Sequence, residues 1–474
     1  MKTLLVNVQG PSTYPQLGCA YLLSSLRSAG HKAEFLDLAF VKDAIQGRKI
    51  LLDRLATDEF SLVGFSLNDY RKSFEMAFDL ATRVKACCGP HVVFGGALFG
   101  HPELCEEYLS LPFVDFVASG EGELTLPHLV ESLNRGEKLE EVPGLWAKAK
   151  NGKIVRPRTR SYIENLDSLP YVCYDDFNLK KYSPALPVLT TRGCPWGKCK
   201  FCNDIAGGTC QRAYRERSAE NVVAELDYLK RKYSSTKVFP WHDQIMCYNL
   251  PRFQKIMTLM QKSNLDIYWA GEIYSMPSVT KDVLEKMYST GCRAITFGVE
   301  SGSQSLLRRM HKGTTVKTNE RIIRDAHETG LKVRTSWVVY YPGESTEDVE
   351  ETINFLRKNI DYIDSVQIHD FELRLGSDIQ QHIGEYMSEG FFSNVERIPF
   401  TTHFTYKTIL KSEHAESVQR LRDLVKDAGK SRELTICGYN LAYFESRNGL
   451  RSILHKGVQV LRHAKRLLNE SLRL

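Results

Sequence analysis

Over the first 135 residues, short apolar runs alternate with longer stretches whose apolar positions recur at helical spacing. The runs at 4–8, 33–38, 62–66, 91–96 and 114–119 read as strands, and 17–29 and 70–86 as helices between them. Strands spaced by helices predict a parallel sheet covered on both faces. The strands run into small-residue turns: Gly64-Phe-Ser66, Gly95-Gly96 and Gly120-Glu-Gly-Glu123. In open parallel sheets ligands lie beyond the carboxyl ends of the strands, so these turns mark a binding edge.

Residues 136–186 break the rhythm. Asn151-Gly152 between two short apolar runs predicts a hairpin with a type I′ turn, and prolines punctuate the rest, so the segment reads as a connector. From 187 to 390 the alternation resumes, with strands at 188–191, 237–243, 267–272, 294–300, 332–341 and 365–371. Helical patterns such as 219–232, 281–288 and 345–358 separate them. Six such units suit a partial parallel barrel better than a closed barrel of about eight. Residues 391–474 read as mainly helical, ending in an apolar stripe through Leu454, Val458, Leu461, Leu468 and Leu472 that should pack on the barrel. The expected fold is α/β: a doubly wound domain over 1–135, a connector over 136–186, a partial (β/α)6 barrel over 187–390 and a helical segment over 391–474.

Composition narrows the class. Hydrophobic residues make up 42% and charged residues 25% of the 474, which excludes disordered and fibrous proteins. No apolar run reaches the ~18 residues of a membrane span, and the first apolar stretch is too short for a signal peptide, so a cytoplasmic location is expected. The net charge of +6 is uneven, because residues 405–474 carry 14 Lys and Arg against 7 Asp and Glu. That basic end reads either as a solvated helical face or as a contact for an anionic partner. Of twelve cysteines nine are scattered, as core residues would be, and three stand together.

Those three lie in Arg192-Gly-Cys-Pro-Trp-Gly-Lys-Cys-Lys-Phe-Cys202, a C-x4-C-x2-C spacing just after the first barrel strand, where parallel barrels keep their chemistry. Structural zinc wants four closed ligands, which would require Cys210. Three thiolates on an iron–sulfur cluster instead leave one iron open to a substrate. Here the sequence resembles the radical S-adenosylmethionine (SAM) superfamily, whose C-x3-C-x2-C motif has an aromatic residue before the last cysteine, as Phe201 stands here. The first gap is one residue longer than usual. Phe297-Gly-Val-Glu-Ser-Gly-Ser303, Tyr341-Pro-Gly-Glu344 and Trp241-His-Asp243 resemble the ends of the fourth, fifth and second strands of that family. The resemblance implies that Cys194, Cys199 and Cys202 hold a 4Fe-4S cluster and that Phe201, Asp243, Glu300 and Ser301 contact SAM. Arg334 reads either as a partner of the SAM carboxylate or as a salt-bridge residue within the barrel.

The amino-terminal pattern, with Pro15-Gln-Leu-Gly-Cys-Ala-Tyr-Leu-Leu23 as its first helix, is similar to the cobalamin-binding domains that precede many radical SAM barrels. The resemblance implies a corrinoid site formed by Leu17, Gly18, Ser66, Leu67, Gly95, Gly96, Gly120, Glu121 and Glu123. An Asp-x-His-x-x-Gly motif, which supplies a cobalt ligand in other cobalamin proteins, is absent, and His31 and His91 stand alone. A flavodoxin-like domain without cofactor is the other reading. The family resemblance implies a methyltransferase acting on an unactivated carbon or on phosphorus through a 5′-deoxyadenosyl radical and methylcobalamin. Its alternatives are a cobalamin-dependent cyclase or rearrangement enzyme, and an RNA-modifying enzyme. The expected partners are a small-molecule or peptide substrate and an electron donor such as flavodoxin or ferredoxin. Nucleic acid is not expected, since Cys19, Cys87, Cys88 and Cys105 lack the cysteine trio of the RNA-modifying relatives.

Overall fold

The structure, a computed structural model, describes residues 1–9, 12–67, 71–87, 89–149, 151–202, 214–408, 412–431, 434–436 and 439–441. Its first layer follows the alternating pattern: β1 (Lys2–Asn7), α1 (Leu17–Ser28), β2 (Lys32–Asp37), α2 (Ala44–Thr57), β3 (Leu62–Ser66), α3 (Arg71–Ala86), β4 (His91–Gly95), α4 (Pro102–Leu109), β5 (Phe116–Ala118) and α5 (Gly122–Arg135). The strands pair in parallel in the order β2-β1-β3-β4-β5. That order reverses at β1, so β1 and β3 leave a crevice between their carboxyl ends.

The hairpin of β6 (Leu145–Lys148) and β7 (Ile154–Val155) extends this sheet antiparallel from β5, so this part of the expected connector is a sheet edge. Its turn is closed by Ala149 N–H to the Lys153 carbonyl (2.8 Å), and of the pair Asn151-Gly152 only Gly152 is left-handed (φ +79). A type I′ turn needs positive φ at both central residues, so Asn151-Gly152 does not form the expected type. The rest of the segment is anchored by buried residues: Val172, Tyr174 and Leu186 join an apolar core that runs from Leu5 and Val93 to Trp241, Trp269 and Ile295.

The second layer contains β8 (Thr191–Arg192) and β9 (Arg215–Glu216), which pair with each other, then α6 (Ala219–Lys232), β10 (Val238–Trp241), α7 (Leu250–Lys262), β11 (Tyr268–Glu272), α8 (Lys281–Ser289) and β12 (Cys292–Glu300). It continues through α9 (Gln304–Arg309), α10 (Val316–Glu328), β13 (Lys332–Val339), α11 (Thr346–Asn359) and β14 (Ser365–Asp370). Strands β10 to β14 form a parallel sheet in chain order. Residues 185–188 complete it only through isolated bridges, Ala185 to Val238 and Val188 to Trp241. Leu186 N–H donates to the Val238 carbonyl (3.0 Å) and Val188 N–H to the Pro240 carbonyl (2.9 Å), and Pro187 between them falls on the opposite edge of the segment, where this pairing needs no N–H.

The helices begin and end on clear signals. Ser218 caps α6 by accepting from Asn221 N–H, while Lys230, Arg231 and Lys232 sit at its negative end. Ser345 and Asp348 form a reciprocal capping box at the start of α11.

After the short helices α12 (Asp378–Gln381) and α13 (Ile383–Ser388), the expectation of a mainly helical segment over 391–474 is met among the described residues by α14 (Ser412–Asp427) alone. It is not met by β15 (Phe392–Arg397) and β16 (Phe404–Thr408), an antiparallel pair, nor by β17 (Leu434–Ile436) and β18 (Tyr439–Leu441). In the first pair Phe392 packs edge-on against Tyr406 at 5.0 Å, a cross-strand aromatic contact that favours sheet over helix. The stripe from Leu454 to Leu472 lies outside the described residues.

Candidate functional site

The loop after residue 191 leaves the carboxyl edge of the second sheet. Gly193 (φ +82) and Gly197 (φ +60) are left-handed, letting the chain turn twice between closely spaced cysteines. Lys200 N–H donates to the Met310 carbonyl (3.1 Å) and Trp196 Nε1–H to the His311 carbonyl (2.8 Å), so the loop is fastened to the end of α9. Cys194, Cys199, Phe201 and Cys202 all line one cavity of about 490 Å³, together with inward residues of the strand ends: Asp243, Glu272, Glu300, Ser336, Gln367 and His369.

The three thiols share that cavity wall without being drawn to one point, and among the described residues no three His, Cys, Asp or Glu groups stand as a closed metal site. Cys210, the fourth ligand a zinc site would need, lies outside the described residues. As a donor set, three thiols beside a buried cation fit an iron–sulfur cluster. The cation is Lys312. Burial pushes its pKa down, but the Glu300 carboxylate and then Cys199 outweigh burial and hold it above the ordinary lysine value. Burial pushes the Cys199 thiol up to about 11, against the pull of Lys312.

Glu300 ends β12 in the left-handed region (φ +64), a backbone state rare for residues with side chains, and its carboxylate meets Lys312 at 2.7 Å. The pair lies across Gly298. A Cβ there would stand 2.1 Å from Glu300 Oε1 and 2.8 Å from Lys312 Nζ, so glycine is what lets the ion pair cross the strand.

The three other expected SAM contacts reach the cavity to different degrees. Ser301 does not line the cavity; its hydroxyl lies 3.2 Å from that of Thr352 and accepts from Ser303 N–H, tying the strand end to α11. Successive strand residues face opposite ways, so Glu300 and Ser301 cannot both look inward. Asp243 reaches the cavity, yet its carboxylate accepts from Thr190 N–H (2.6 Å), Thr191 N–H (2.9 Å) and the Thr190 hydroxyl. It therefore fixes the strand that carries the cysteine loop. Arg334 is buried two residues earlier on β13 than the cavity-lining Ser336, a layer too deep to line the cavity itself.

A second cavity, of about 380 Å³, opens at the carboxyl edge of the first sheet. Gly18, Ser66, Gly95, Gly96, Gly120, Glu121 and Glu123 line it, over an apolar floor that includes Leu5, Val93 and Leu126. A Cβ on Gly18 would meet nothing within 4 Å, so the amino end of α1 leaves room for a large flat ligand. This cradle of bare backbone and apolar floor suits a corrinoid ring. Leu17 and Leu67 do not line it: Leu17 packs on the core, and Leu67 is buried with its N–H on the Gly95 carbonyl (2.8 Å). His31 and His91 do not line it either.

The two acids expected at the corrinoid site are already engaged. Arg192 donates to Glu121 (2.7 Å) and to Glu123, while Arg215 donates to Glu121 (2.9 Å). Burial would raise the Glu121 pKa, but Arg215, Arg192 and the Ile163 N–H hold it below the carboxylate range.

The two cavities share His242 and Gln244, which line both. Burial lowers the His242 pKa to about 4, so its ring is neutral at physiological pH. Sequence reasoning missed His242, Gln244, Arg192 and Lys312. Arg192 and His242 each sit inside a quoted motif, and that proximity was the available signal; Gln244 stands just beyond one, and Lys312 had none.

The profile of the radical SAM superfamily matches residues 188–356, the part that carries the cysteine loop and the second sheet. An uncharacterized methyltransferase of Pyrococcus horikoshii is 30% identical over 359 residues, covering 74% of this chain and 75% of that protein. Among solved structures, the cobalamin-dependent radical SAM enzyme OxsB, with aqua-cobalamin and SAM bound, superposes with a TM-score of 0.74 at 18% identity, covering 90% of this chain and 66% of OxsB. The radical SAM methyltransferase TsrM from Kitasatospora setae, with cobalamin and a [4Fe-4S] cluster bound, gives a TM-score of 0.69 at 18% identity over 85% of this chain and 82% of TsrM. Both likenesses extend across the two sheets.

Proposed function

The chain belongs to the radical SAM superfamily, and from that premise we propose that it is a cobalamin-dependent methyltransferase acting on an unactivated carbon or phosphorus centre of a small-molecule substrate. The observation that carries this reading is the wall shared by the two cavities, His242 and Gln244. It brings a thiol-lined chamber and a glycine-lined chamber to a common boundary, the arrangement that moving a group from one cofactor to a substrate activated by the other demands.

When bound, the cluster and SAM supply a 5′-deoxyadenosyl radical, and cobalamin supplies a methyl group. In this reading Cys194, Cys199 and Cys202 hold the cluster, and Phe201 and Glu300 border SAM. The Lys312 ammonium offsets the negative charge of three thiolates. Asp243, through its three bonds to Thr190 and Thr191, keeps the cysteine loop in place. Gly18, Gly95, Gly96 and Gly120 seat the corrinoid against bare backbone. Arg192, committed to Glu121 and Glu123, closes the cysteine loop against the corrinoid domain and limits water entry between the chambers. The neutral His242 ring and Gln244 border the substrate and offer it hydrogen bonds without adding charge.

Electrons come from a small protein donor such as flavodoxin or ferredoxin, and the enzyme works in the cytoplasm, where its thiols stay reduced. No helix among the described residues is long and apolar enough to cross a membrane.

Anaerobic reconstitution tests the reading. One chain should bind about four irons and one cobalamin, and reduction with SAM should release 5′-deoxyadenosine. Alanine at Cys194, Cys199 or Cys202 should abolish that release, whereas alanine at the buried Cys247 or Cys292 should leave it. Full SAM cleavage by Cys199→Ala would overturn the assignment.

A further inference from the structure

Trp196 separates the cysteine-lined chamber from solvent. It lines that chamber and also a shallow outer groove of about 330 Å³. Its indole stacks on Tyr274 at 5.6 Å and lies against Gly313 (φ +76), where a Cβ would stand 2.0 Å from the ring. Trp196 is therefore wedged in place, and this wall is one side chain thick.

The surface around that wall is basic. Lys198, Arg308 and His311 line the outer groove and are exposed, and no carboxylate lines it among the described residues. Lys198 holds its ammonium 5.2 Å over the Trp196 ring. The chain explains the bias: no Asp or Glu occurs from Ser301 to Asn319, a stretch that carries Arg308, Arg309, Lys312 and Lys317.

We propose that this groove is the docking surface for an acidic one-electron carrier protein of the flavodoxin type, seated on Lys198, Arg308 and His311 with Trp196 between it and the cluster. The charge is complementary to such a partner and would steer it to the thinnest wall of the chamber. The transfer moves one electron from the reduced flavin of the donor, which is oxidised by one electron, to the cluster, which is reduced by one; no bond is made or broken. The inference rests on the cluster reading above.

The test is binding of oxidised flavodoxin to the reconstituted enzyme, followed by fluorescence anisotropy at about 50 mM and 300 mM salt, where exposed charge pairs are weakly and strongly screened. Wild type should bind with strong salt dependence. Lys198→Glu/Arg308→Glu should weaken binding at low salt at least tenfold and flatten that dependence, and Lys198→Ala/Arg308→Ala should do so less. Lys42→Glu/Lys49→Glu, exposed on the amino-terminal domain, should bind as wild type. Dithionite needs no docking, so its yield of 5′-deoxyadenosine should be equal in all variants and reports the cluster reading separately. Unchanged flavodoxin affinity in both Lys198/Arg308 variants would overturn the docking surface while leaving that reading intact. So would tRNA binding that the same variants abolish while flavodoxin fails to bind wild type.

Discussion

The guanidinium of Arg192, two residues before Cys194, sits 2.7 Å from the Glu121 carboxylate of the opposite domain and also holds Glu123. One side chain thus links the cysteine loop to the edge of the glycine-lined cavity. All the side chains of this cluster are largely buried, at 15% exposure for Arg192, 9% for each acid and 8% for Arg215. Removing Arg192 takes from Glu123 the cation it holds inside the protein, while Glu121 keeps Arg215.

Arg192→Met should therefore cost about 3 kcal/mol in urea unfolding, the usual penalty for breaking a buried pair from one side. Adding Glu123→Gln should recover most of that loss, because Glu123 is the acid that Arg192 held, whereas Glu121 keeps Arg215. The pH dependence follows from Glu121, whose folded pKa lies below its ordinary 4.5. A carboxylate shifted down contributes stability that is complete above that ordinary value and lost as pH falls through the folded one. Acid unfolding of the wild type should steepen below 4.5, and Glu121→Gln should show a shallower profile there.

Two glycines of the same cavity should behave in opposite ways. Gly96 has φ +117, and a Cβ there would sit 2.1 Å from the Leu67 carbonyl oxygen, so Gly96→Ala should destabilise by at least about 2 kcal/mol. Gly18 lies in α1 with open space beside it, so Gly18→Leu should stabilise the helix by up to about 1 kcal/mol while filling the cavity. Cobalamin titration should show affinity falling at least tenfold for Gly18→Leu despite its retained fold. Unchanged affinity would mean that this cavity is not the corrinoid site.

The contrast between these glycines marks where sequence reading runs out. Strand and helix positions were legible because periodicity reports burial, and β3 and α6 match their expected bounds residue for residue. Cavity-lining residues were legible where a turn ends a strand, as at Gly95 and Gly120. Which neighbour faces inward was not, because it depends on parity and bulges: the register of β12 against β13 slips between Gly298 and Glu300, putting Glu300 inside and Ser301 behind it. Arg334 has the right face at the wrong depth, and depth along a strand leaves no mark in composition. His242 and Gln244 gain their meaning only from the packing of two domains, which no local motif encodes.

That shared wall supports a third prediction. His242→Phe keeps a ring but removes the polar edge and adds bulk at the boundary between the chambers. SAM cleavage depends on the cysteine chamber and should continue, while delivery to substrate should suffer. The ratio of methylated product to 5′-deoxyadenosine should fall about tenfold, equivalent to about 1.4 kcal/mol on the transfer step. Because burial places the His242 pKa near 4, the wild-type ratio should not change with this group's titration between about pH 6 and 8. An unchanged ratio in His242→Phe would remove the wall from the mechanism.

The last prediction separates methyl transfer from cyclisation or rearrangement, which would use the same two cavities. Each methyl delivered to a substrate must be replaced from SAM, releasing one S-adenosylhomocysteine, and each hydrogen abstraction consumes a second SAM, releasing one 5′-deoxyadenosine. Methyl transfer therefore requires the two products in equal amounts per turnover. A ring closure or rearrangement needs only the abstraction, so it yields 5′-deoxyadenosine without matching S-adenosylhomocysteine. Feeding SAM labelled in its methyl group adds a direct check, since the label should appear in the product at one atom per turnover. The cysteine, glycine and His242 variants cannot make this distinction, because both chemistries depend on both chambers. Quantified by mass spectrometry under anaerobic turnover, a one-to-one ratio with label transfer is expected; altered substrate with 5′-deoxyadenosine, no label and no S-adenosylhomocysteine would replace the methyltransferase reading with a cyclase or rearrangement enzyme on the same scaffold.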